Sequence, residues 1–277
     1  MINFLSNIIL QGQITNMINK DFTLTDIGAG LCVAENAIQV DQAFLFNYIN
    51  FLKQAEEETF TYLEEDGKKY AVNRTGFKFD PNEVSLAPSR FIDPLLKFSE
   101  RNPTKEQENF IQDLEDLMYQ ILVKYCKHYP DAATVCWWRG MGHIATYAKG
   151  QGIGPHCDDQ IPYEFGKPTK NEYPKHSKVS VNIYLNDSVD SDQELNEYNF
   201  TGGEIRFRHA KHTHKPKAGS AVIYPTNYIG THEVLPVKEG LRIAYLGAFL
   251  YGTPEHAREG DWRIWMPNLK KDAGLHI

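Results

Sequence analysis

Between Thr134 and Phe249 the chain is a succession of short runs of β-branched or alternating residues, each closed by turn residues. The runs are Thr134 to Trp138, His143 to Lys149, Val179 to Leu185, Glu204 to Arg208, Ala221 to Tyr224, Gly230 to Pro236 and Leu241 to Phe249. Strands this short and this densely spaced bury their apolar faces best when two sheets close on a shared core, which predicts a β-sandwich or jelly roll.

The front of the chain has a different texture. Phe110, Ile111, Leu114, Leu117, Met118, Ile121, Leu122 and Tyr125 recur at intervals of three and four, the period of an amphipathic helix, and Thr104 with Gln107 forms a capping box before it. A second helix is predicted from Asp41 through Phe44, Tyr48, Phe51 and Leu52 to Glu57, and Tyr62 to Val72 reads as a hairpin about Asp66-Gly67. The expectation is an α+β fold of one domain, residues 1–277. Residues 1–130 would be mainly helical support, 134–250 a jelly-roll core and 251–277 a C-terminal tail.

Charge and cysteine usage narrow the partners. With 29 Lys and Arg against 36 Asp and Glu, the net charge is -7, the opposite of the basic footprint a nucleic-acid binder needs. Cys32, Cys126, Cys136 and Cys157 show no paired spacing, which suggests a reducing compartment. The apolar stretch Phe4 to Leu10 is not preceded by a basic residue, and no apolar run reaches the length of a membrane span. The chain is expected to be cytoplasmic, with neither nucleic acid nor membrane as partner; its oligomeric state is not legible.

The chemistry concentrates at Gly154-Pro155-His156-Cys157-Asp158-Asp159. On a strand, residues i and i+2 share a face, so His156 and Asp158 would project together and Cys157 away. His232 follows in the run Tyr224 to Val234, and Arg242 comes ten residues later. A hairpin at Val237 to Gly240 would bring Arg242 back beside the strand carrying His232. Two histidines and a carboxylate form the facial set suited to non-heme iron(II), with positions left for a bidentate 2-oxo acid and dioxygen. An arginine can pair fork to fork with the far carboxylate of 2-oxoglutarate.

From Val135 to Phe249 the sequence resembles the iron(II) and 2-oxoglutarate-dependent dioxygenases, within them the prolyl 4-hydroxylase-like branch. The resemblance rests on ordered blocks: Tyr147-Ala148-Lys149-Gly150-Gln151 ahead of His156 and Asp158, Tyr184-Leu185-Asn186-Asp187, Gly202-Gly203-Glu204, Pro216 to Ala221, then His232, Pro236-Val237, Gly240 and Arg242. It implies a double-stranded β-helix core, with His156, Asp158 and His232 as both catalytic centre and iron(II) ligands. Arg242, Tyr147 and Ser180 would be cosubstrate contacts. Iron(II), 2-oxoglutarate and dioxygen are the implied cofactor and cosubstrates, with ascorbate as a stimulant. The implied reaction is hydroxylation of an unactivated C–H with release of succinate and carbon dioxide; related halogenases lack the carboxylate that Asp158 supplies. Ile153 stands where the branch often carries an aromatic residue, and Arg242 where it often carries lysine. A second arginine of the nucleic-acid demethylases would fall at Ala248.

Around this centre, alternation along Val179 to Leu185 puts Ser180, Asn182 and Tyr184 on one face, taken to look into the pocket. The long connection from Asp159 to Lys178 reads as a lid, with Asp159, Tyr163, Glu164 and Asn182 as candidate substrate contacts. The acidic stretch Asp187 to Glu197 would attract a cationic substrate if it borders the mouth. The His-rich run from Arg206 to Lys215 reads as a solvated strand and loop. The leading expectation is a hydroxylase of a free small molecule, an amino acid or a specialised metabolite, including cationic natural products such as cylindrospermopsin-type alkaloids. The alternatives are a peptide or protein prolyl 4-hydroxylase and, from another class, a non-catalytic jelly-roll metal-binding module.

Overall fold

The computed structural model describes residues 17–58, 60–72, 102–159, 176–252 and 263–276, together with the backbones of four short strands at 78–79, 90–92, 163–164 and 167–168. Two N-terminal strands, β1 (Leu24–Gly28) and β2 (Leu31–Ala34), precede helix α1 (Gln42–Glu57), whose N-cap Asp41 accepts from the Phe44 backbone N–H at 2.9 Å. The hairpin β3 (Thr61–Glu65) and β4 (Lys68–Val72) turns at Asp66-Gly67 as expected and is extended by β5 (Lys78–Phe79); β6 (Arg90–Ile92) follows. Helix α2 (Lys105–His128) carries the full capping box of Thr104 and Gln107 and buries its apolar stripe from Phe110 to Tyr125.

The remaining elements are α3 (Ala132–Val135), a 3-10 turn at Tyr228–Gly230, a short C-terminal helix α4 (Leu269–Asp272) and the strands β7 (Trp138–Arg139), β8 (His143–Ala148), β9 (Ile153–His156), β10 (Tyr163–Glu164), β11 (Lys167–Pro168), β12 (Ser177–Tyr184), β13 (Ser188–Val189), β14 (Phe200–Gly202), β15 (Ile205–Phe207), β16 (His212–His214), β17 (Ala221–Pro225), β18 (His232–Val234), β19 (Val237–Leu250) and β20 (Ile264–Trp265). They form two principal sheets. The larger runs β1-β2-β17-β12-β19, with β14 beside the first residues of β19 and β8 and β7 along its other edge. The smaller runs β16-β15-β18-β9.

The larger sheet is buried on both faces, and the period-2 alternation of its strands sorts the side chains. Val179, Val181, Ile183, Ile243, Tyr245 and Phe249 pack with Leu45, Ile49, Leu114, Met118 and Ile121 of the two long helices. From the opposite face Tyr184, Val222, Tyr224 and Ala244 meet Ile205 and Phe207 of the smaller sheet, and Ala145, Tyr147 and Phe200 meet Val234 and Val237. The result is a curled two-sheet jelly roll with helices on its outer face, an α+β fold.

Two features depart from the expected layout. The front of the chain is more than a helical support: β2 pairs with β17, and β6 with β8, so it supplies strands to the larger sheet. The supposed hairpin at Val237 to Gly240 lies within β19 itself, paired there with β14. After Val234 the chain therefore passes from one sheet to the other, leaving β18 and β19 in different sheets. Near the C-terminus β20 pairs with β7, and Trp265 stacks on Trp137. No helix among the described residues is long and apolar enough to cross a membrane.

Candidate metal centre

His156 closes β9, His232 opens β18, and the two are direct cross-strand partners. Each imidazole is clamped in the same way, by the carbonyl oxygen of the glycine two residues earlier: Nδ1 of His156 lies 2.8 Å from Gly154 O and Nδ1 of His232 2.9 Å from Gly230 O. A carbonyl only accepts, so each Nδ1 carries the proton and each Nε2 keeps its lone pair. Asp158 sits in the turn after β9 rather than on the strand. The turn nevertheless brings its Oδ1 to 3.7 Å from His156 Nε2 and 3.9 Å from His232 Nε2. These distances are too long for hydrogen bonds and shorter than two metal–ligand bonds of about 2.1 Å laid end to end.

One donor atom from each residue lies within 4.8 Å of the others, the grouping needed to hold an ion. His232 is buried while His156 and Asp158 are partly exposed, so the group has a protein side and an open side. Burial pushes the His232 pKa down, against the opposing pull of the Asp158 carboxylate, and so favours the neutral imidazole that metals bind. The partly buried Cys157 thiol has the Asp159 carboxylate as its polar neighbour.

One member of the centre was not foreseen. Tyr224, on the interior face of β17, donates its hydroxyl to Asp158 Oδ2 at 3.1 Å and receives the Asn182 Nδ2–H at 3.3 Å. Its Oη is 3.4 Å from His232 Nε2, and its ring meets the His232 and Phe207 rings edge to face. Burial pushes this hydroxyl well above the usual tyrosine range. No signal in the sequence pointed to it; only the strand register, which pairs Tyr224 with Ser180, puts it on the polar face of the sheet.

Arg242 reaches the interior from the larger sheet, across the barrel from His232 rather than beside it as the hairpin reading had it. It is 2 % exposed. Its cross-strand partner is Tyr147, whose ring centroid is 4.8 Å from the guanidinium carbon, and Tyr184 flanks it at 5.2 Å. Nε donates to Gly203 O at 3.0 Å, and no carboxylate among the described residues pairs with this cation. The Tyr184 hydroxyl, buried in the same place, has no partner in hydrogen-bonding geometry. Tyr184 was expected on the pocket-facing side of its strand with Ser180 and Asn182; its place beside Arg242 was not foreseen.

The other expected contacts divide. Ser180 and Asn182 are buried on the interior face of β12. Asp159 anchors its turn through its backbone N–H to Thr226 O at 3.1 Å. Of the connection read as a lid, residues 160–162, 165–166 and 169–175 lie outside the described residues, as do the side chains of Tyr163 and Glu164; the backbone there forms the small ladder β10–β11. The acidic stretch is a self-braced connection. Asp187 accepts from the Ala218 N–H, Asp190 pairs with Lys215, Glu194 accepts from the Asp190 N–H, and Tyr198 packs on Phe46 of α1. These contacts do not support its reading as a collector of cations.

Residues 142–249 match the family model of the 2OG-Fe(II) oxygenase superfamily. No curated protein matches the sequence. Among solved structures, a prolyl hydroxylase from Trichoplax adhaerens, in complex with a hypoxia inducible factor oxygen degradation domain peptide fragment, is similar at 15% identity over 80% of this chain and 84% of that one, TM-score 0.48. A Pseudomonas putida prolyl-4-hydroxylase is similar at 16% identity over 80% and 89%, TM-score 0.42. A viral collagen prolyl hydroxylase from Paramecium Bursaria Chlorella virus-1, in its 2OG complex, is similar at 15% identity over 62% and 84%, TM-score 0.40. Residues 142–249 are thus a 2OG-Fe(II) oxygenase domain, and the protein that carries it is a 2-oxoglutarate-dependent dioxygenase using iron(II), 2-oxoglutarate and dioxygen.

Proposed function

We propose that His156, Asp158 and His232 hold the iron(II), that Arg242 with Tyr147 and Tyr184 receives the distal carboxylate of 2-oxoglutarate, and that the enzyme hydroxylates a free small molecule. The observation that carries this reading is Arg242 itself. A buried guanidinium without a counter-ion is costly, and here it lies on the same interior as the two-histidine, one-carboxylate group, beside the buried Tyr184 hydroxyl, which Arg242 and Asn182 approach without forming a well-aligned hydrogen bond. A dicarboxylate chelating the metal at one end would neutralise the cation at the other. Ser180 lines the same face of β12 and completes the proposed cosubstrate contacts.

When bound, the metal supplies the oxidising chemistry with dioxygen and the 2-oxo acid. The chain's own residues do the rest. The Gly154 and Gly230 carbonyls fix the imidazoles, Arg242 sets the orientation of the cosubstrate, and the partly exposed His156 and Asp158 leave one side of the centre open to a substrate. Ile153 packs with Tyr147, Val234 and Val237, so an aliphatic group fills the position where an aromatic ring would otherwise stand. This supports a small-molecule substrate, an amino acid or a specialised metabolite. A prolyl peptide is the second reading, and the exposed Tyr228, four residues before His232, would favour it by offering a ring at the surface.

The test is aerobic incubation with iron(II), 2-oxoglutarate and separate pools of small metabolites and proline-containing peptides, reading succinate together with a mass gain of one oxygen. Coupled turnover with the metabolite pool is expected. Turnover with peptides alone would replace the first reading by the second, and turnover that survives His156→Ala or Asp158→Ala would remove the site assignment.

A further inference from the structure

We propose that Tyr224 is a positioning residue that fixes Asp158 so that a single carboxylate oxygen, Oδ1, faces the metal, with Asn182 fixing Tyr224 in turn. The inference rests on the reading of Asp158 as a metal ligand given above. Asp158 lies in a partly exposed turn, beyond the ladder that holds His156, so its backbone alone does not determine how its carboxylate is turned. A carboxylate free to rotate can bind an ion through one oxygen or both, and two-oxygen binding would occupy a position that the facial set leaves open for ligands.

The hydrogen bonds remove that freedom. Tyr224 is 1 % exposed and sits on a strand paired on both sides, with β12 and β2. Its ring is wedged against Phe207 and His232. A carboxylate only accepts, so the one proton of the Tyr224 hydroxyl goes to Asp158 Oδ2, and its lone pairs are left for an N–H. Asn182 Nδ2 supplies that N–H. His232 Nε2, 3.4 Å away, is the other acceptor in reach, and once its lone pair is given to an ion it no longer competes. The order Asn182 to Tyr224 to Asp158 Oδ2 follows, with Oδ1 turned toward the two Nε2 atoms. On this reading Asn182, expected from the sequence to touch substrate, acts through Tyr224 instead.

The experiment uses the full chain and cobalt(II), titrated by calorimetry and by visible absorption, whose band shape and intensity report coordination number. Tyr224→Phe keeps the ring and removes the hydroxyl. The expected result is a cobalt(II) affinity lower by roughly 10- to 100-fold, the cost typical of losing an outer-shell partner, with an altered absorption band. In an Asp158→Ala background the same substitution should change neither. Asn182→Ala, which spares the tyrosine, should shift both readouts in the same direction by less, and it serves if Tyr224→Phe does not fold. Wild-type affinity and spectrum in the folded Tyr224→Phe protein, or an undiminished effect of that substitution in the Asp158→Ala background, would overturn the proposal and leave the metal site standing. Wild-type cobalt(II) binding in Asp158→Ala alone would overturn the metal-site reading and this one with it.

Discussion

Glu115 of α2 accepts a 2.5 Å hydrogen bond from the hydroxyl of Tyr245 in β19, and through this buried carboxylate the helical layer is fastened to the larger sheet. The same Oε1 accepts from the Gly142 N–H at 2.8 Å. Oε2 lies 3.1 Å from Arg139 Nε as an ion pair outside hydrogen-bonding geometry, while Arg139 Nη1 donates to the Glu115 carbonyl. Removing the carboxylate would strand a buried arginine, so Glu115→Ala is expected to cost about 3–5 kcal/mol. Tyr245→Phe, which removes one donor, should cost about 1–3 kcal/mol. Urea unfolding of the metal-free proteins measures both. Because Tyr245 points to the helix side of β19, its substitution should leave metal affinity unchanged.

Arg242 depends on Gly203 in two ways. The Gly203 carbonyl accepts from Nε, and a Cβ at this position, whose φ is +67°, would stand 3.0 Å from Arg242 Cδ and 2.9 Å from Phe200 Cε2. Gly203→Ala therefore displaces the guanidinium and strains the backbone together. The expected outcome is a KM for 2-oxoglutarate higher by roughly 10-fold or more with metal affinity intact. Arg242→Lys, which keeps the charge and loses the fork, should act in the same direction. A KM unchanged in both variants would count against the cosubstrate assignment.

The two glycines that clamp the histidines do so with the same atom in different surroundings, and this allows a controlled comparison. A Cβ on Gly230 would fall 1.8 Å from Pro225 O, whereas a Cβ on Gly154 meets nothing within 4 Å. Gly230→Ala must therefore shift the short turn leading into His232, while Gly154→Ala leaves the backbone of β9 in place. Metal affinity measured by calorimetry should fall by about 10-fold or more in the first, as when a ligand loses its outer-shell orientation, and by little in the second. Equal losses would show that crowding at Gly230 is not what holds His232.

The sequence made some of this legible for physical reasons that also explain what it hid. Helices α1 and α2 carry their own period and their own caps, and β12 alternates, so each could be read from residues adjacent in the chain. The two histidines and Asp158 could be read because few residue types bind a metal. By contrast, Leu31 to Ala34 is a short run buried on both faces, without alternation to mark it as a strand or to name β17 as its partner. Pro236 and Gly240 look like a turn, yet Pro236 lies where the chain changes sheets and Gly240 is inside β19 opposite Phe200, a matter of long-range pairing. Tyr224 was unread as a polar group because a tyrosine in an apolar strand looks like core. What distinguishes it is a hydroxyl whose partner, Asp158, is 66 residues away in sequence.

Stability should fall below neutral pH through His214, which lies behind the Arg242 slot. Its ring stacks on Tyr184 at 5.1 Å, its Nε2 lies 3.2 Å from Ser220 Oγ, and it is 5 % exposed. Burial lowers its pKa from 6.5 to about 4, helped by His212, Arg242 and Lys217. Above pH 6.5 the imidazole is neutral whether the chain is folded or not, and it carries no penalty. As the pH drops through 6.5 the unfolded chain takes up the proton first, so stability is lost progressively until about pH 4, by roughly 3 kcal/mol in all and about 2 kcal/mol by pH 5. Carboxylates titrate in the same range, so the comparison is with His214→Gln, which keeps a hydrogen-bonding group and cannot titrate. In urea unfolding from pH 7 to pH 4.5 the wild type should lose more stability than the variant, and the gap between them should close as the pH falls. A gap that stays constant across the range would show that His214 does not resist protonation in the folded protein.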